Sequence, residues 1–408
     1  MDISMKRKSA TNQQRRSLTI LPGVYASAVA AGIKVNGKRD LAFVFVPEAY
    51  GSAGIFTQNS FCAAPVQLSR EAVKRGTIKA VILNAGNANA GTGKTGLLHA
   101  KETARAAARL LGLQRHEVAI CSTGIIGRPL PMDKVATGLA KLLATPLAKH
   151  GRAAAEAVMT TDLTRKEVYC TGKVAGHRIT IAGFAKGSGM IAPNMATTFG
   201  VLATDAKISS TALQKLLRIA ADATINMTSV DTDTSTNDTL LAFSTGRTGP
   251  RITRKKHLEE FLSLLTSACQ AIARHLAADG EGATKLIEVV VQGARTIREA
   301  RIVAKNIVNS PLVKTAIHGA DPNWGRVLAA AGKDPATRLD PSKVDLTFAG
   351  SQVMRRGTIV PHDRTRIRKL MTTKEVQITI HLHQGTCTAT AWGCDLTHGY
   401  VDVNVSYR

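Results

Sequence analysis

The sequence predicts an α+β fold, and three observations predict it. Short apolar runs bounded by Gly, Pro or Asn recur along the chain and read as strands. Two longer stretches place apolar residues at three- and four-residue steps and read as helices. The two kinds of segment are interleaved, with no internal repeat and no linker that divides the chain cleanly. At 408 residues and roughly 150 residues per domain, two or three lobes are expected.

Taken in order, residues 1–19 are basic and polar without an apolar segment, so they do not read as a secretory signal. They are expected to form a disordered basic extension, an organellar transit peptide being the alternative. Strands follow at 41–46, 80–83 and 118–121. Pro131 opens a helix expected over 132–147. Residues 179–182 and 201–203 read as strands. From 256 to 278, Leu258, Phe261, Leu262, Leu265, Ala268, Ile272 and Leu276 mark a helix, which Asp279-Gly280 stops. A strand at 287–291 follows, and residues 376–406 alternate like antiparallel strands separated by turns.

Composition narrows the function classes. No apolar run approaches the ~18–20 residues that cross a bilayer, so no membrane partner is expected. Lys and Arg number 54 against 29 Asp and Glu, a net charge of +25, which invites acidic partners. An aromatic fraction of 4% is thin for stacking on bases, and the basic residues are dispersed, so nucleic acid is not the expected partner. Six irregularly spaced cysteines without a C-x-x-C argue for a reducing compartment, hence the cytoplasm unless the tail is a transit peptide.

Two motifs invite chemistry and are set aside. Residues 88–95, ANAGTGKT, nearly match a phosphate-binding loop ending at Lys94. Ala88, however, replaces the first glycine, and the preceding strand is expected to end near Leu83. His381, His383, Cys387, Cys394 and His398 are donor types that zinc accepts, but Ile378, Ile380 and Leu382 alternate with the histidines and place them on a strand's polar face. No metal is expected. A third segment is more informative. IAGFAKGSGMIAPNMATTFG, from Ile181, reads as a strand, a loop of three glycines carrying Lys186, a Pro-Asn turn, and Ala196-Thr197 before the next apolar run.

That segment resembles the self-cleavage and nucleophile motif of the ornithine acetyltransferases, bifunctional glutamate N-acetyltransferases of arginine biosynthesis. The match includes NAGNANAGTG (84–93), CSTGIIG (121–127), MTTD (159–162) and AKGSGMIAPNMAT (185–197). It continues with DTSTNDT (233–239), DGEGATK (279–285), KTAIHGADPNWGR (314–326) and ATAWGCDLTHGYVDVN (389–404). The eight stand in the family's order from about residue 20 to the C-terminus. The family implies a layered sheet-and-helix sandwich and a precursor cut between Ala196 and Thr197. An α fragment (20–196) and a β fragment (197–408) would then fold together, in a tetramer of two of each.

The chemistry implied is acyl transfer by an N-terminal threonine. A hydroxyl is a poor nucleophile, but once freed by the cut, the Thr197 α-amine (ordinary pKa ~7.7–8.0) is a base at the same residue. Thr197 would take the acetyl group from N-acetylornithine, release ornithine, and pass the acetyl to glutamate, giving acetylglutamate. The family pattern assigns Thr123 and Gly124 to the oxyanion. It assigns Thr160 (with Thr161 the neighbouring alternative), Lys186, Thr197, Glu281 and Asn404 to substrate. Lys186 would serve the carboxylate or acetyl region, and Glu281 the ornithine amine. No cofactor is expected, and acetyl-CoA is left open as a co-substrate. The 321–326 tract has no assigned chemistry. Two departures from the pattern are Thr198-Phe199, where relatives have Met-Leu, and the chain ending at Arg408, where relatives carry one more Ser or Thr that touches substrate. The first puts cleavage efficiency at issue; the second is expected to raise the Michaelis constant.

Overall fold

The computed structural model describes residues 17–192 and 199–406, and every count given is of these. They form two compact units. One holds the described residues of 17–187, 199–222 and 234–272; the other holds 188–192, 223–233 and 273–406. The chain passes between them repeatedly, so they are not successive domains, nor do they coincide with fragments divided at 196/197.

The first unit is layered. A four-stranded sheet runs in the order Tyr25–Val29, Leu41–Phe45, Ala80–Asn87, Val118–Ile125. A five-stranded sheet runs Gly51–Phe56, Thr239–Thr248, Phe199–Ala206, His177–Lys186, Lys166–Val174. Side chains alternate across a strand, and this sorts the faces. Ala42, Val44, Val81, Leu83 and Ala119 share one core with Phe184, Val201, Leu241 and Phe243 of the second sheet. Leu41, Phe43, Ile82 and Ile120 turn the other way, onto helices Ala64–Arg75, Gly93–Leu111 and Met132–Leu143. The far face of the five-stranded sheet takes Leu264 of helix Lys255–Ala278 against Gly172. Its free edge at Gly54 is closed by Gln214 of helix Ser210–Ala223, which accepts from Gly54 N and donates to Gly54 O, both at 3.0 Å.

The second unit is built on a seven-stranded sheet ordered Thr358–Ile359, Ser351–Arg355, Asp345–Phe348, Glu375–His381, Leu286–Ala294, Cys387–Cys394, Thr228–Ser229. Ile287, Val289, Val291, Ile378, Ile380 and Ala391 bury one core with helices Ile297–Val308, Pro311–His318 and Trp324–Ala331. Thr296 and Ser310 cap the first two helices, accepting from Glu299 N (3.1 Å) and Val313 N (3.4 Å).

Three sequence expectations are corrected. The helix expected over 132–147 ends at Leu143, because Pro146 disfavours helical geometry in the residue before it. The strand expected to stop at Leu83 runs to Asn87; its parallel neighbour continues in register through Gly124, and asparagine side chains carry its buried polarity. Residues 376–406 are not a run of mutually paired strands. Glu375–His381 pairs parallel, and Cys387–Cys394 antiparallel, with Leu286–Ala294. The last segment is a helix, His398–Ser406. Thr228–Ser229 occupies the sheet edge beside Cys387–Cys394, so a third strand has no partner there, and a helix satisfies its own backbone.

Candidate functional site

Thr197 and the bond before it lie outside the described residues. The remaining candidates fall into two groups, one in each unit.

In the first unit, Thr123 and Gly124 end the Val118–Ile125 strand, where the pairing with Ala80–Asn87 becomes irregular at Gly86 and Asn87. Gly86 and Gly124 have φ of +102° and +132°. A Cβ on Gly124 would lie 2.4 Å from the Gly86 carbonyl carbon and 2.5 Å from Asn87 N, so only glycine allows this approach. Asparagines hold the bend. Ser122 Oγ donates to Asn84 Oδ1 (2.6 Å), Asn84 Nδ2 donates to Asn87 O (2.8 Å), and Asn237 Nδ2 donates to Ser122 O (2.9 Å) and Ala88 O (2.6 Å). Further along, Asn87 Oδ1 accepts from Asn89 N (2.8 Å), and Asn89 Nδ2 donates to Gly96 O (2.9 Å). The glycine-rich tract that resembled a phosphate loop is therefore closed on its own side chains, with Lys94 exposed.

Lys186 stands at the end of the His177–Lys186 strand, opposite Phe199. It is 8% exposed and donates to Thr160 Oγ1 at 2.8 Å and to Thr123 Oγ1 at 3.4 Å. The fold thus gathers Thr123, Thr160 and Lys186, three residues that the sequence separates by up to sixty-three positions. Behind them is Asp162, which sequence reasoning passed over within MTTD. Its Oδ1 accepts from Lys166 Nζ (2.6 Å) and Gly187 N (2.7 Å), and its Oδ2 accepts from Thr160 N (3.0 Å). Burial by itself would raise this carboxyl, but the Lys186 and Lys166 charges and the hydrogen bonds outweigh it and hold it well below the usual range.

Asp238, in DTSTNDT, is the opposite case. It is 5% exposed, its Oδ2 has no hydrogen-bond partner, and burial raises it well above the usual range against the pull of Ser235 and Lys186. It stands at the mouth of the Thr239–Thr248 strand, whose first residue pairs with Phe199. Cys121 is buried, and burial pushes its thiol far above the usual range, opposite to the lowering that activates a thiolate.

In the second unit, Glu281 and Asn404 meet: Asn404 Nδ2 donates to Glu281 Oε2 at 2.9 Å and to Tyr400 O at 2.9 Å. Two glycines make room. A Cβ on Gly189 would fall 2.2 Å from Glu281 Oε2, and one on Gly282, at φ +68°, 2.2 Å from Tyr400 N. Glu281 N donates to Ser188 O (3.0 Å). Asp231 accepts from Met190 N (2.5 Å) and Ile191 N (2.8 Å), fixing the loop after Ser188. Burial, with the Asp231 and Glu281 charges, pushes the Tyr400 phenol up to about 12. The 321–326 tract is structural: Arg326 Nη1 donates to Leu312 O (2.8 Å), and Trp324 packs on the core and edge-on to His362. His383 Nε2 lies 2.9 Å from Asp345 Oδ2, and no group of three or more His, Cys, Asp or Glu among the described residues could hold a metal.

This chain's residues 25–408 match the sequence pattern of the ArgJ family. It belongs to the ArgJ family. Proteins described as arginine biosynthesis bifunctional protein ArgJ match almost end to end. That of Symbiobacterium thermophilum is 45% identical over 96% of this chain and 98% of its own. That of Bacillus cereus is 39% identical over 99% of this chain and 100% of its own. Among solved structures, the Bacillus halodurans ArgJ aligns at 38% identity and a TM-score of 0.48, over 50% of this chain and 96% of its own. An ornithine acetyltransferase from Mycobacterium tuberculosis, complexed with ornithine, aligns at 40% identity and 0.40, over 44% and 96%. The ArgJ motifs quoted above are thus the ones that build the Gly86–Gly124 bend, the Lys186 cluster and the Glu281 loop.

Proposed function

We propose that this ArgJ-family chain is a self-cleaving N-terminal-threonine acetyltransferase. It moves the acetyl group of N-acetylornithine to glutamate through an acetyl-enzyme, with acetyl-CoA as a second donor for the bifunctional activity. The observation that supports this most is the cluster of Lys186, Thr160 and Thr123 beside the glycine-locked end of the Val118–Ile125 strand. A hydroxyl and a backbone N–H at such a bend suit a tetrahedral oxyanion, and one donor of this kind contributes ~10²–10³ in rate. Lys186 supplies positive charge for a carboxylate or for the acetyl oxygen, and Glu281, held by Asn404, suits the ornithine amine.

In the precursor, Thr197 Oγ attacks the Ala196 carbonyl, the C–N bond breaks with a proton passing to nitrogen, and water opens the resulting ester. The freed α-amine then serves as the base for each acetyl transfer. The reading carries with it the α and β fragments, their assembly as a tetramer of two of each, and a cytoplasmic location.

The test is to incubate purified protein with N-acetylornithine labelled in the acetyl group, with and without glutamate. Label should accumulate on Thr197 and move to glutamate. Thr197→Ala should abolish both cutting and transfer, and Thr197→Ser should retain part of each. Label on Thr198 or on Cys121 would overturn the mechanism.

A further inference from the structure

Lys34 belongs to none of the motifs, yet it sits in the polar cluster of the first unit. Its backbone is pinned by Asp40, a fully buried carboxylate that accepts from Lys34 N (2.8 Å, Oδ2) and Ala31 N (2.7 Å, Oδ1). Its stem lies along the oxyanion bend, since a Cβ on Gly86 would be 3.1 Å from Lys34 Cγ. Its ammonium donates to Ala157 O (2.9 Å) and Arg39 O (3.0 Å). An ammonium has three donors, so one N–H remains without an acceptor among the described residues.

The charged groups that act on it are Asp40, Lys186, Asp162 and Lys38. Burial, opposed by Asp40 and reinforced by Lys186, brings its pKa from 10.5 down to about 8. The half-buried Lys34 ammonium, repelled by the buried Lys186 that already faces Asp162 at 3.9 Å and left with a donor unspent, is a place where an added carboxylate is favoured.

We propose that Lys34 is a second cation, acting with Lys186, that binds the α-carboxylate common to the acetyl donor and the acetyl acceptor. The proposal rests on the acetyl-transfer reading above, and it makes Lys34 a binding residue rather than a participant in bond making. Because the ammonium is the binding form, substrate capture weakens as the pH rises through about 8. Arginine, which stays charged at every accessible pH, removes that weakening.

The experiment compares wild type, Lys34→Gln and Lys34→Arg in steady-state transfer from N-acetylornithine to glutamate across pH 6.5–10. Self-cleavage and melting temperature serve as controls for folding. Loss of a charge-assisted hydrogen bond predicts a KM raised ~10–100-fold for both substrates in Lys34→Gln, with kcat changed much less. Lys34→Arg should recover most of the KM and lose the alkaline fall in kcat/KM. Calorimetry with ornithine, which carries the α-carboxylate but no acetyl group to transfer, reads binding without chemistry and should show the same order. Unchanged KM and affinity in Lys34→Gln, or an alkaline fall that persists in Lys34→Arg, would overturn the proposal. Wild type that binds ornithine but transfers no acetyl would instead overturn the functional reading and leave calorimetry to judge Lys34. If Lys34→Gln fails to fold, Lys34→Arg alone still decides through its pH profile.

Discussion

Asp162 shows how one buried carboxylate organises the first unit's cluster. It faces two lysines and two backbone N–H groups, and the side chains of Asp162 and Lys166 are wholly enclosed. Asp162→Asn leaves Lys166 buried without its counter-charge, and removing one partner of such a pair costs about 3–5 kcal/mol. The pH dependence has a definite sign. The folded carboxyl titrates below its ordinary ~3.9, so its contribution is complete above that value and drains away as the pH falls toward the depressed folded pKa. Urea unfolding should show the gap between wild type and Asp162→Asn widest near neutrality and closing below about pH 4. A gap constant down to pH 2 would show that the ionised form is not what stabilises. The sequence displays Thr160 within a motif but not the importance of Asp162. Its partners Lys186 and Gly187 lie on another strand, and the loop that brings them together has no periodicity to announce it.

At the scale of the strand, the close approach of Gly124 to Gly86 gives a prediction that separates two reasons for a glycine. Gly127 has φ +82° with nothing within 4 Å of its missing Cβ, so Gly127→Ala meets only backbone strain, ~1–2 kcal/mol. Gly124→Ala has φ +132° and in addition drives a methyl into the Gly86–Asn87 peptide. It must push the bend apart and should lower the transfer rate by ~10² or more, while Gly127→Ala retains most of it. Equal rates in the two variants would remove the oxyanion role from this bend. Apolar runs made the core strands legible: residues 41–46 and 118–121 were read as strands because both faces of their sheet are buried. The continuation of Ala80–Asn87 through four polar or small residues was not legible. Neither was the terminal helix, where Val401, Val403 and Val405 alternate as a strand would and only the occupied sheet edge decides otherwise.

For the molecule as a whole, the position of Phe199–Ala206 matters most. This strand follows the proposed cut, yet it lies between His177–Lys186, which precedes the cut, and Thr239–Thr248, which follows it. A denaturing gel should therefore show two bands, the smaller-numbered ending at Ala196 and the other beginning Thr-Thr-Phe on Edman degradation. Without denaturant the two pieces should travel as one species through gel filtration. Fragments that separate in native buffer would contradict the shared sheet. The same placement orders events on the ribosome. Until residue 248 has cleared the exit tunnel, the strand that follows the cut has a neighbour on one side only, so a nascent chain shorter than that holds an unfinished sheet. Truncation series arrested along the message would then stay intact up to roughly that length plus the stretch of chain held in the tunnel, and begin to divide only beyond it. Emergence of the Thr239–Thr248 strand, rather than a separate protease or signal, would set the clock for maturation.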